Sequence, residues 1–269
     1  MAAFDLDGTC LDSKGRLSDR TREVLERAGK QGICLVIATG RPLSGIPKEL
    51  WKVDGMCYMI ALNGSRIYDV KAQKTIFVQG LNKACLKKTA QIVQKHRVLA
   101  DFFAGDQGYC EKKVYQQAEQ FLTDTHFCSY YLQTRTPVED LWQRDLAAYE
   151  PVEKINLFFD DLAEKAQVQK ELLGLEDTKV CSGMEYNLEL NHCEVNKGNA
   201  IKRLAGKMQI PREEIFGCGD GGNDIELLQA AGVGVAMGNA KEAVKKVADF
   251  VTAGNDEDGA AASLEKYLG

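Results

Sequence analysis

The sequence predicts an α/β fold, in which a doubly wound parallel sheet is interrupted by an inserted α+β domain. Two continuous apolar runs, at residues 33–38 and 57–62, are typical of parallel strands that are buried on both faces. Segments with helical periodicity separate such runs, which gives the alternation of a doubly wound sheet. The alternation breaks at about residue 81 and resumes after residue 183.

The first part of the chain predicts three strands and two helices. Only four residues precede Asp5, so the strand at residues 1–4 is expected to be short. A helix is predicted from Ser18, as its N-cap, to Gly32, and a second helix after Pro42. The buried strand at residues 57–62 ends at a turn, Asn63-Gly64.

The middle of the chain has the mixed pattern of helices and strands that is typical of an α+β insertion. Predicted elements are a helix at 82–95, a short strand with polar helical segments, a strand at 154–159, a helix at 162–173, and short strands near Lys179 and at 184–190. We therefore predict a core domain of residues 1–80 plus 184–269 and an inserted domain of residues 81–183.

The last part returns to alternating strands and helices. The predicted order is a helix opening at Lys197, a strand at 215–219, a helix at 223–231, a strand at 233–237, a helix at 240–247, a strand at 249–252 and a helix at 259–268. These elements extend the sheet of the first part.

Composition excludes several classes of protein. A net charge of −5 without any basic block disfavours nucleic acid or an anionic membrane as partner. No apolar run reaches the length of a membrane span. The nine cysteines are scattered without a CxxC pair, which predicts reduced thiols and a cytoplasmic protein. The scattered histidines are interpreted as surface or core residues, not metal ligands (His96, His126, His192).

Two carboxylates, Asp5 and Asp7, follow the first strand in the run DLDGT at residues 5–9. Residues i and i+2 of a strand point to the same side, so one carboxylate can attack while the other moves protons. Asp-Gly is also a common turn dipeptide, and a plain turn is the competing interpretation. An EF-hand loop is excluded because Gly8 is the fourth residue from Asp5, whereas that loop needs glycine at the sixth.

A second acidic run, GDGGND at residues 219–224, also follows a predicted strand. Residues 217–222 match the GxGxxG pattern of dinucleotide-binding proteins. That interpretation is disfavoured because the next strand ends Ala236-Met237-Gly238 without the expected acid. Asp220, inside the loop, would also repel a pyrophosphate.

The acidic residues without a cluster of histidine or cysteine indicate a hard cation such as Mg²⁺, which substrate phosphate commonly completes. Thr39 at a strand end offers a hydroxyl and following backbone N–H groups to an anion. Lys197 offers an ammonium that offsets the charge of a carboxylate and a phosphoryl group. Taken alone, Lys197 would be interpreted as a solvated lysine at a helix start.

Four motifs in this order resemble those of the haloacid dehalogenase superfamily of phosphohydrolases, in its Cof-like branch. They are DLDGT at 5–9, ATGR at 38–41, NKG at 196–198 and GDGGND at 219–224. The long segment between the second and third motifs corresponds to the cap of that branch. The resemblance implies a Rossmann-like core with an α+β cap that helps to choose the substrate.

The resemblance also implies roles for the site residues. Asp5 would be the nucleophile that forms an aspartyl-phosphate, and Asp7 the acid and base. Mg²⁺ would be held by Asp5, the Asp7 backbone carbonyl and Asp220, with Asp224 as a ligand or beside one. The groups that would bind the substrate, most of them through its phosphoryl oxygens, are Thr39, Gly40, Arg41, Asn63, Lys197 and Asn223.

The motifs are compatible with more than one reaction. A phosphatase acting on a small phosphorylated metabolite, such as a sugar phosphate, is favoured because an acid and base is available for hydrolysis. A sugar phosphomutase or phosphotransferase shares the same carboxylate pair. A phosphate-binding protein without turnover is disfavoured because all four motifs keep their reactive side chains.

Overall fold

A computed structural model describes residues 1–142, 151–182 and 184–268. The chain divides into two compact units. We call Met1–Phe77 with Val195–Gly269 the core unit, and Val78–Glu194 the inserted unit.

The described residues form fourteen strands. They are β1 (Ala2–Phe4), β2 (Leu35–Ala38), β3 (Met56–Ala61), β4 (Arg66–Asp69), β5 (Lys74–Val78), β6 (Leu99–Ala104), β7 (Gln107–Glu111), β8 (Arg135–Val138), β9 (Val152–Phe158), β10 (Thr178–Cys181), β11 (Asn187–His192), β12 (Phe216–Gly219), β13 (Val233–Ala236) and β14 (Phe250–Val251).

The same residues form nine α-helices. They are α1 (Asp19–Lys30), α2 (Lys83–Val93), α3 (Lys112–Tyr115), α4 (Thr125–Thr134), α5 (Leu162–Leu172), α6 (Lys197–Met208), α7 (Ile225–Ala230), α8 (Glu242–Lys245) and α9 (Gly259–Leu268). None of these helices has both the length and the hydropathy needed to cross a bilayer.

The core unit is built on an eight-stranded sheet with the order β14-β13-β12-β1-β2-β3-β4-β5. The six strands from β14 to β3 in this order run parallel. β1 is short but central, and Phe4 pairs with Cys218 on one side and Ile37 on the other. The carboxyl ends of β12, β1, β2 and β3 therefore lie side by side at one edge of the sheet.

Helix starts in the core unit follow from capping residues. The Ser18 side chain accepts the backbone N–H of Thr21 at the start of α1, as predicted, and the Asn196 side chain accepts that of Asn199 at the start of α6. Each cap satisfies an N–H group that has no partner within its helix. The cap at Asn196 fixes where α6 begins and so where Lys197 lies.

Two predictions for the core unit are wrong in detail. The helix predicted after Pro42 is replaced by two short 3₁₀ turns, Leu43–Gly45 and Leu50–Lys52, because Pro47 lacks a backbone N–H and interrupts any longer helix. The sequence also missed the hairpin strand β4, which pairs antiparallel with β3 and makes the sheet mixed. β4 and β5 are only four and five residues long, too short for their periodicity to identify them as strands.

The inserted unit is built on a six-stranded sheet with the order β10-β11-β9-β6-β7-β8. Its adjacent strands pair antiparallel except β7 with β8, which are parallel. One apolar cluster joins Leu86 of α2 and Val168 of α5 to Phe102 and Ile155 of the sheet. A second cluster places Tyr131 of α4 among the residues around Phe158.

The ends predicted for the inserted domain, residues 81 and 183, both fall within this unit. Strand β11 pairs with β9 through Leu188 and Leu157, so residues 184–194 belong to the inserted sheet and not to the core. The boundary predicted at residue 183 lies too early in the chain. Two short strands near the end of the insertion carry no motif that would assign them to either sheet.

Candidate active site

Four strand ends bring the predicted site residues to one edge of the core sheet. Asp5 directly follows β1, and its backbone N–H donates to the carbonyl of Cys218 in β12 at 2.9 Å. The Thr39 N–H donates to Ile60 in β3 at 2.8 Å, and the Asn63 N–H donates to the Thr39 carbonyl at 2.9 Å. These backbone bonds hold the loops of β1, β2 and β3 in register.

Lys197 lies fully buried between two carboxylates. Its Nζ donates to Asp5 Oδ1 at 2.5 Å and to Asp224 Oδ1 at 2.6 Å, and the lysine side chain is 0% exposed. α6 can approach α7 this closely because residue 198 is glycine: a Cβ there would lie 2.1 Å from the Glu226 carbonyl oxygen. The NKG motif therefore combines a helix cap, the ammonium and a helix contact.

Three carboxylates gather around this ammonium. Oxygens of Asp5, Asp220 and Asp224 all lie within 4.8 Å of one another. The Thr9 hydroxyl donates to Asp220 Oδ1 at 2.9 Å and orients that carboxylate. The three carboxyl groups offer more negative charge than the one positive charge of Lys197 offsets, and their hard oxygen atoms suit Mg²⁺. The donor set therefore fits the predicted metal.

The pKa values of the site reflect this excess of carboxylates. Burial raises the pKa of Asp5 well above its usual range, the charge of Asp224 adds to the rise, and Lys197 opposes it. Burial also raises the pKa of Asp220, against the hydrogen bond from Thr9. Burial lowers the pKa of Lys197, but the charges of Asp224 and Asp5 outweigh burial and hold that pKa above its ordinary value. Lys197 is thus an ammonium at neutral pH.

The glycine of DLDGT is required by the same cluster. Gly8 has φ +77°, a conformation that side chains rarely adopt. A Cβ on Gly8 would also lie only 2.6 Å from Asp220 Oδ2. The close approach of the two acidic loops thus depends on a residue without a side chain.

Asp224 has both carboxylate oxygens engaged within the protein. Its Oδ2 accepts the backbone N–H groups of Asp220 at 3.0 Å and Gly221 at 2.8 Å, while Oδ1 accepts Lys197. Asp224 therefore shapes the GDGGND loop and holds the ammonium. The oxygens of Asp5 and Asp220 are less occupied by backbone donors.

Asp7 is exposed and bound by Arg41. The Arg41 Nε donates to Asp7 Oδ2 at 2.8 Å and Nη2 donates to Oδ1 at 2.5 Å, so the guanidinium holds both oxygens. The third nitrogen, Nη1, donates to the carbonyl of Gly45 at 2.9 Å. Arg41 is predicted from the sequence to contact substrate, and in the structure it contacts Asp7, the predicted acid and base.

The remaining predicted residues lie at the ends of β2, β3 and β12. Thr39 is buried, and its hydroxyl accepts the Arg41 backbone N–H at 3.1 Å. The Asn223 side chain donates to Asn63 Oδ1 at 3.1 Å, and a Cβ on Gly40 would lie 3.0 Å from the same oxygen. All ten residues named from the sequence therefore lie at this edge of the core sheet.

Two further residues, Thr9 and Asn239, support the site without a role predicted from the sequence. Thr9 orients Asp220, and its signal was its place inside DLDGT. Asn239 donates from its side chain to the Gly8 carbonyl at 2.9 Å and accepts the Asn255 N–H at 3.0 Å. Asn239 lies in the loop after β13, and no motif pointed to it.

A second group of possible ligand atoms lies in the inserted unit and involves His192, which was predicted not to bind metal. Atoms of Asp177, His192 and Cys193 lie within 4.8 Å of one another. Asp177 and Cys193 are the next residues beyond the antiparallel pair Thr178 and His192, one on each strand. Opposite residues at an exposed strand end are close whether or not a metal binds, so this proximity does not indicate a metal site.

Comparisons with known proteins agree with this architecture over nearly the whole chain. The sequence model of the haloacid dehalogenase-like hydrolases matches residues 2–264. Phosphatase YwpJ of Bacillus subtilis (strain 168) is 30% identical over 284 residues, which cover 100% of this chain and 99% of YwpJ. YcsE of the same organism, a 5-amino-6-(5-phospho-D-ribitylamino)uracil phosphatase, is 25% identical over 272 residues, covering 100% and 95% of the two chains.

The fold is also similar to solved structures. The crystal structure of a haloacid dehalogenase-like hydrolase from Bacteroides thetaiotaomicron superposes with a TM-score of 0.83 at 31% sequence identity. The match covers 99% of this chain and 98% of that protein. The similarity therefore includes both the core unit and the inserted unit.

Proposed function

The chain belongs to the haloacid dehalogenase-like hydrolase family and is a phosphatase of that family, and we propose that it hydrolyses a phosphomonoester of a small metabolite through an aspartyl-phosphate intermediate. The family membership confirms the resemblance inferred from the four motifs. The proposal is more specific than family membership, because it names the nucleophile, the metal and the class of substrate.

The observation that supports this reaction best is the environment of Asp5. Its carboxylate is buried at the end of the central strand β1, in contact with a buried ammonium and within 4.8 Å of two further carboxylates. A fixed carboxylate beside positive charge is suited to attack a phosphorus atom, whose own negative charge the ammonium and a cation offset.

In the proposed first step, an Asp5 oxygen attacks phosphorus and the bond from phosphorus to the leaving oxygen breaks. Asp7 gives its proton to that leaving oxygen, so the product departs as an alcohol. In the second step, water attacks phosphorus, the bond from phosphorus to Asp5 breaks, and Asp7 takes the water proton. Both aspartates then have their starting protonation, with inorganic phosphate as the second product.

The phosphoryl oxygens would be held by groups at the strand ends around Asp5. Lys197 supplies a positive charge, and Thr39 supplies a hydroxyl beside the backbone N–H of Gly40. Asn223 supplies an amide that Asn63 holds through its side-chain oxygen. Positioning and charge stabilisation of this kind provide most of the catalysis in phosphoryl transfer.

We propose that Mg²⁺ is held by the carboxylates of Asp5 and Asp220 and by the backbone carbonyl of Asp7. When bound, the ion neutralises charge on the phosphoryl group and helps to orient it. Asp224 acts mainly by holding Lys197 and the GDGGND loop, since its two oxygens already accept protein hydrogen bonds.

The proposed substrate is a phosphorylated sugar or a similar polyhydroxylated metabolite in the cytoplasm. YcsE is named for a substrate that carries its phosphate on a ribityl chain. The net charge of −5 and the absence of a basic block also favour a small substrate over nucleic acid. A panel of phosphorylated metabolites, ranked by kcat/KM, would identify the substrate.

Substitution of the two aspartates tests the reaction. With p-nitrophenyl phosphate and Mg²⁺, we expect Asp5→Asn to abolish turnover and Asp7→Asn to lower kcat by about 100-fold or more. Asp12→Asn is the matched control, because Asp12 lies in the same segment but pairs with Arg16 on the surface. Full activity of Asp5→Asn would refute the proposal, and so would a need for a sugar bisphosphate activator, which indicates a mutase.

A further inference from the structure

We propose that Arg41 is a positioning residue for Asp7, and that it serves mainly the hydrolysis of the aspartyl-phosphate. This inference rests on the proposed function, since it assigns Asp7 the proton transfers. It starts from the contact between the guanidinium and both Asp7 oxygens, at 2.8 and 2.5 Å.

Asp7 needs an external support because its own surroundings leave it exposed. Its side chain is 55% exposed, whereas that of Asp5 is buried. Within residues 1–142, 151–182 and 184–268, Arg41 is the only side chain that hydrogen-bonds the Asp7 carboxylate. An exposed carboxylate samples several rotamers, and only some of them place it beside the phosphorus of Asp5.

Arg41 can provide this support because its own position is fixed at both ends. Its backbone N–H donates to the Thr39 hydroxyl at 3.1 Å, and its carbonyl accepts the Leu62 N–H at 2.9 Å. Its Nη1 donates to the Gly45 carbonyl at 2.9 Å. The guanidinium is therefore tied to the ends of β2 and β3, and its planar fork matches the two carboxylate oxygens.

The geometry distinguishes the two halves of the reaction. The fork of Arg41 orients the Asp7 carboxylate, and in the second half of the reaction this carboxylate takes a proton from water. Each carboxylate oxygen keeps a second lone pair for that proton. Protonation of the leaving group, in contrast, matters little when the leaving group is a stable phenolate. Loss of Arg41 should therefore slow the second half of the reaction most.

The test is pre-steady-state kinetics of Arg41→Gln with p-nitrophenyl phosphate. kcat/KM covers the steps up to release of nitrophenolate, whereas kcat also covers hydrolysis of the phosphoenzyme. We expect kcat to fall about 10- to 100-fold while kcat/KM stays within about twofold of wild type. A burst of about one nitrophenolate per enzyme should precede the slow phase, and acid quenching should trap phosphorylated Asp5.

Two further variants sharpen the comparison. Arg41→Lys keeps the charge but binds as a point charge and cannot fork two oxygens, so we expect it to retain the burst with an intermediate kcat. Arg22→Gln removes an exposed arginine that pairs with Asp19 at 2.8 Å on α1, and it should match wild type. Complete recovery of kcat in Arg41→Lys would overturn the forked-positioning role.

Other outcomes separate this inference from the proposed function. A raised KM with unchanged kcat in Arg41→Gln would show that Arg41 binds substrate instead, and an equal fall in kcat and kcat/KM without a burst would show a general structural role. Either result overturns the inference while the phosphatase assignment stands. If wild type itself forms no phosphoenzyme on Asp5, the proposed mechanism fails first.

Discussion

Lys197 shows how much a single residue contributes to this site. Its buried ammonium lies 2.5 Å from Asp5 Oδ1 and 2.6 Å from Asp224 Oδ1, so each carboxylate has a partner of opposite charge. Burying these charges is costly, and the pairs offset that cost only while all three groups are present. Lys197 therefore stabilises the carboxylates of the site itself as well as the phosphoryl group that we propose binds there.

Replacing Lys197 with Met should destabilise the protein by about 3–5 kcal/mol at pH 8, measured by urea unfolding in EDTA. Without the ammonium, burial and the charge of Asp224 raise the folded-state pKa of Asp5 further above its unfolded value, so the folded state binds more protons. The stability of the variant relative to wild type should consequently fall as pH rises from about 5 to 8.

Lys202→Met provides the control, since Lys202 is an exposed lysine in the same helix α6. It should change the free energy of unfolding by less than about 0.5 kcal/mol at either pH. A Lys197→Met deficit that shrinks with rising pH would contradict the charge argument.

At the scale of elements, one histidine joins two helical segments of the inserted unit. His96 follows α2, and its Nδ1 lies 2.7 Å from Glu164 Oε1 while Nε2 lies 2.9 Å from Glu171 Oε1, both on α5. The two ring nitrogens can donate together only as imidazolium. Burial lowers the pKa of His96, but the two glutamates outweigh burial and raise it above its ordinary value of 6.5.

The contact of α2 with α5 should therefore weaken as pH rises. Because the folded-state pKa is raised, the contribution of His96 is fully present below pH 6.5 and is lost as pH rises through the folded-state value. We expect the stability difference between wild type and His96→Gln to shrink on going from about pH 5.5 to about pH 8.5. Urea unfolding followed by Trp142 fluorescence in a Trp51→Phe background measures it.

Other charged groups lie near the same histidine and its glutamate partners. Arg97 donates its backbone N–H to Glu164 at 3.3 Å and its Nε to Asp160 at 2.8 Å. His192→Gln, at the end of β11, is the comparison variant, and an equal effect in that variant would contradict the assignment to His96.

At the scale of the whole molecule, we expect metal binding to stabilise the core unit and not the inserted unit. Asp5, Asp220 and Asp224 all belong to the core unit, although they are far apart along the chain. The two tryptophans report the units separately: Trp51 packs on Tyr68 in the core unit, and Trp142 packs on Phe102 in the inserted unit.

We expect Mg²⁺ to raise the thermal unfolding midpoint that Trp51 reports in a Trp142→Phe background. A ligand at 100 times its dissociation constant stabilises the folded state by about 2.7 kcal/mol. Asp220→Asn should remove this shift, because it deletes one carboxylate of the proposed site. Asp19→Asn, on exposed α1, should keep it, and a shift that persists in Asp220→Asn would contradict the proposed ligands.

The sequence by itself determined the fold class, the strand ends and the residues gathered there. Buried strands such as β2 and β3 are continuous apolar runs, and parallel strands place their carboxyl ends at one edge, so local patterns were enough. The sequence alone therefore predicts that Asp5, Thr39 and Asp220 lie close together.

Tertiary structure alone decided how those residues are paired and where the units divide. The fork of Arg41 on Asp7 and the bridge of Lys197 to Asp224 join side chains whose directions no periodicity encodes. Strand β11 belongs to the inserted sheet because it pairs with β9, a partner distant in sequence. Such contacts depend on backbone register and side-chain rotamers, which are fixed only when the whole chain packs.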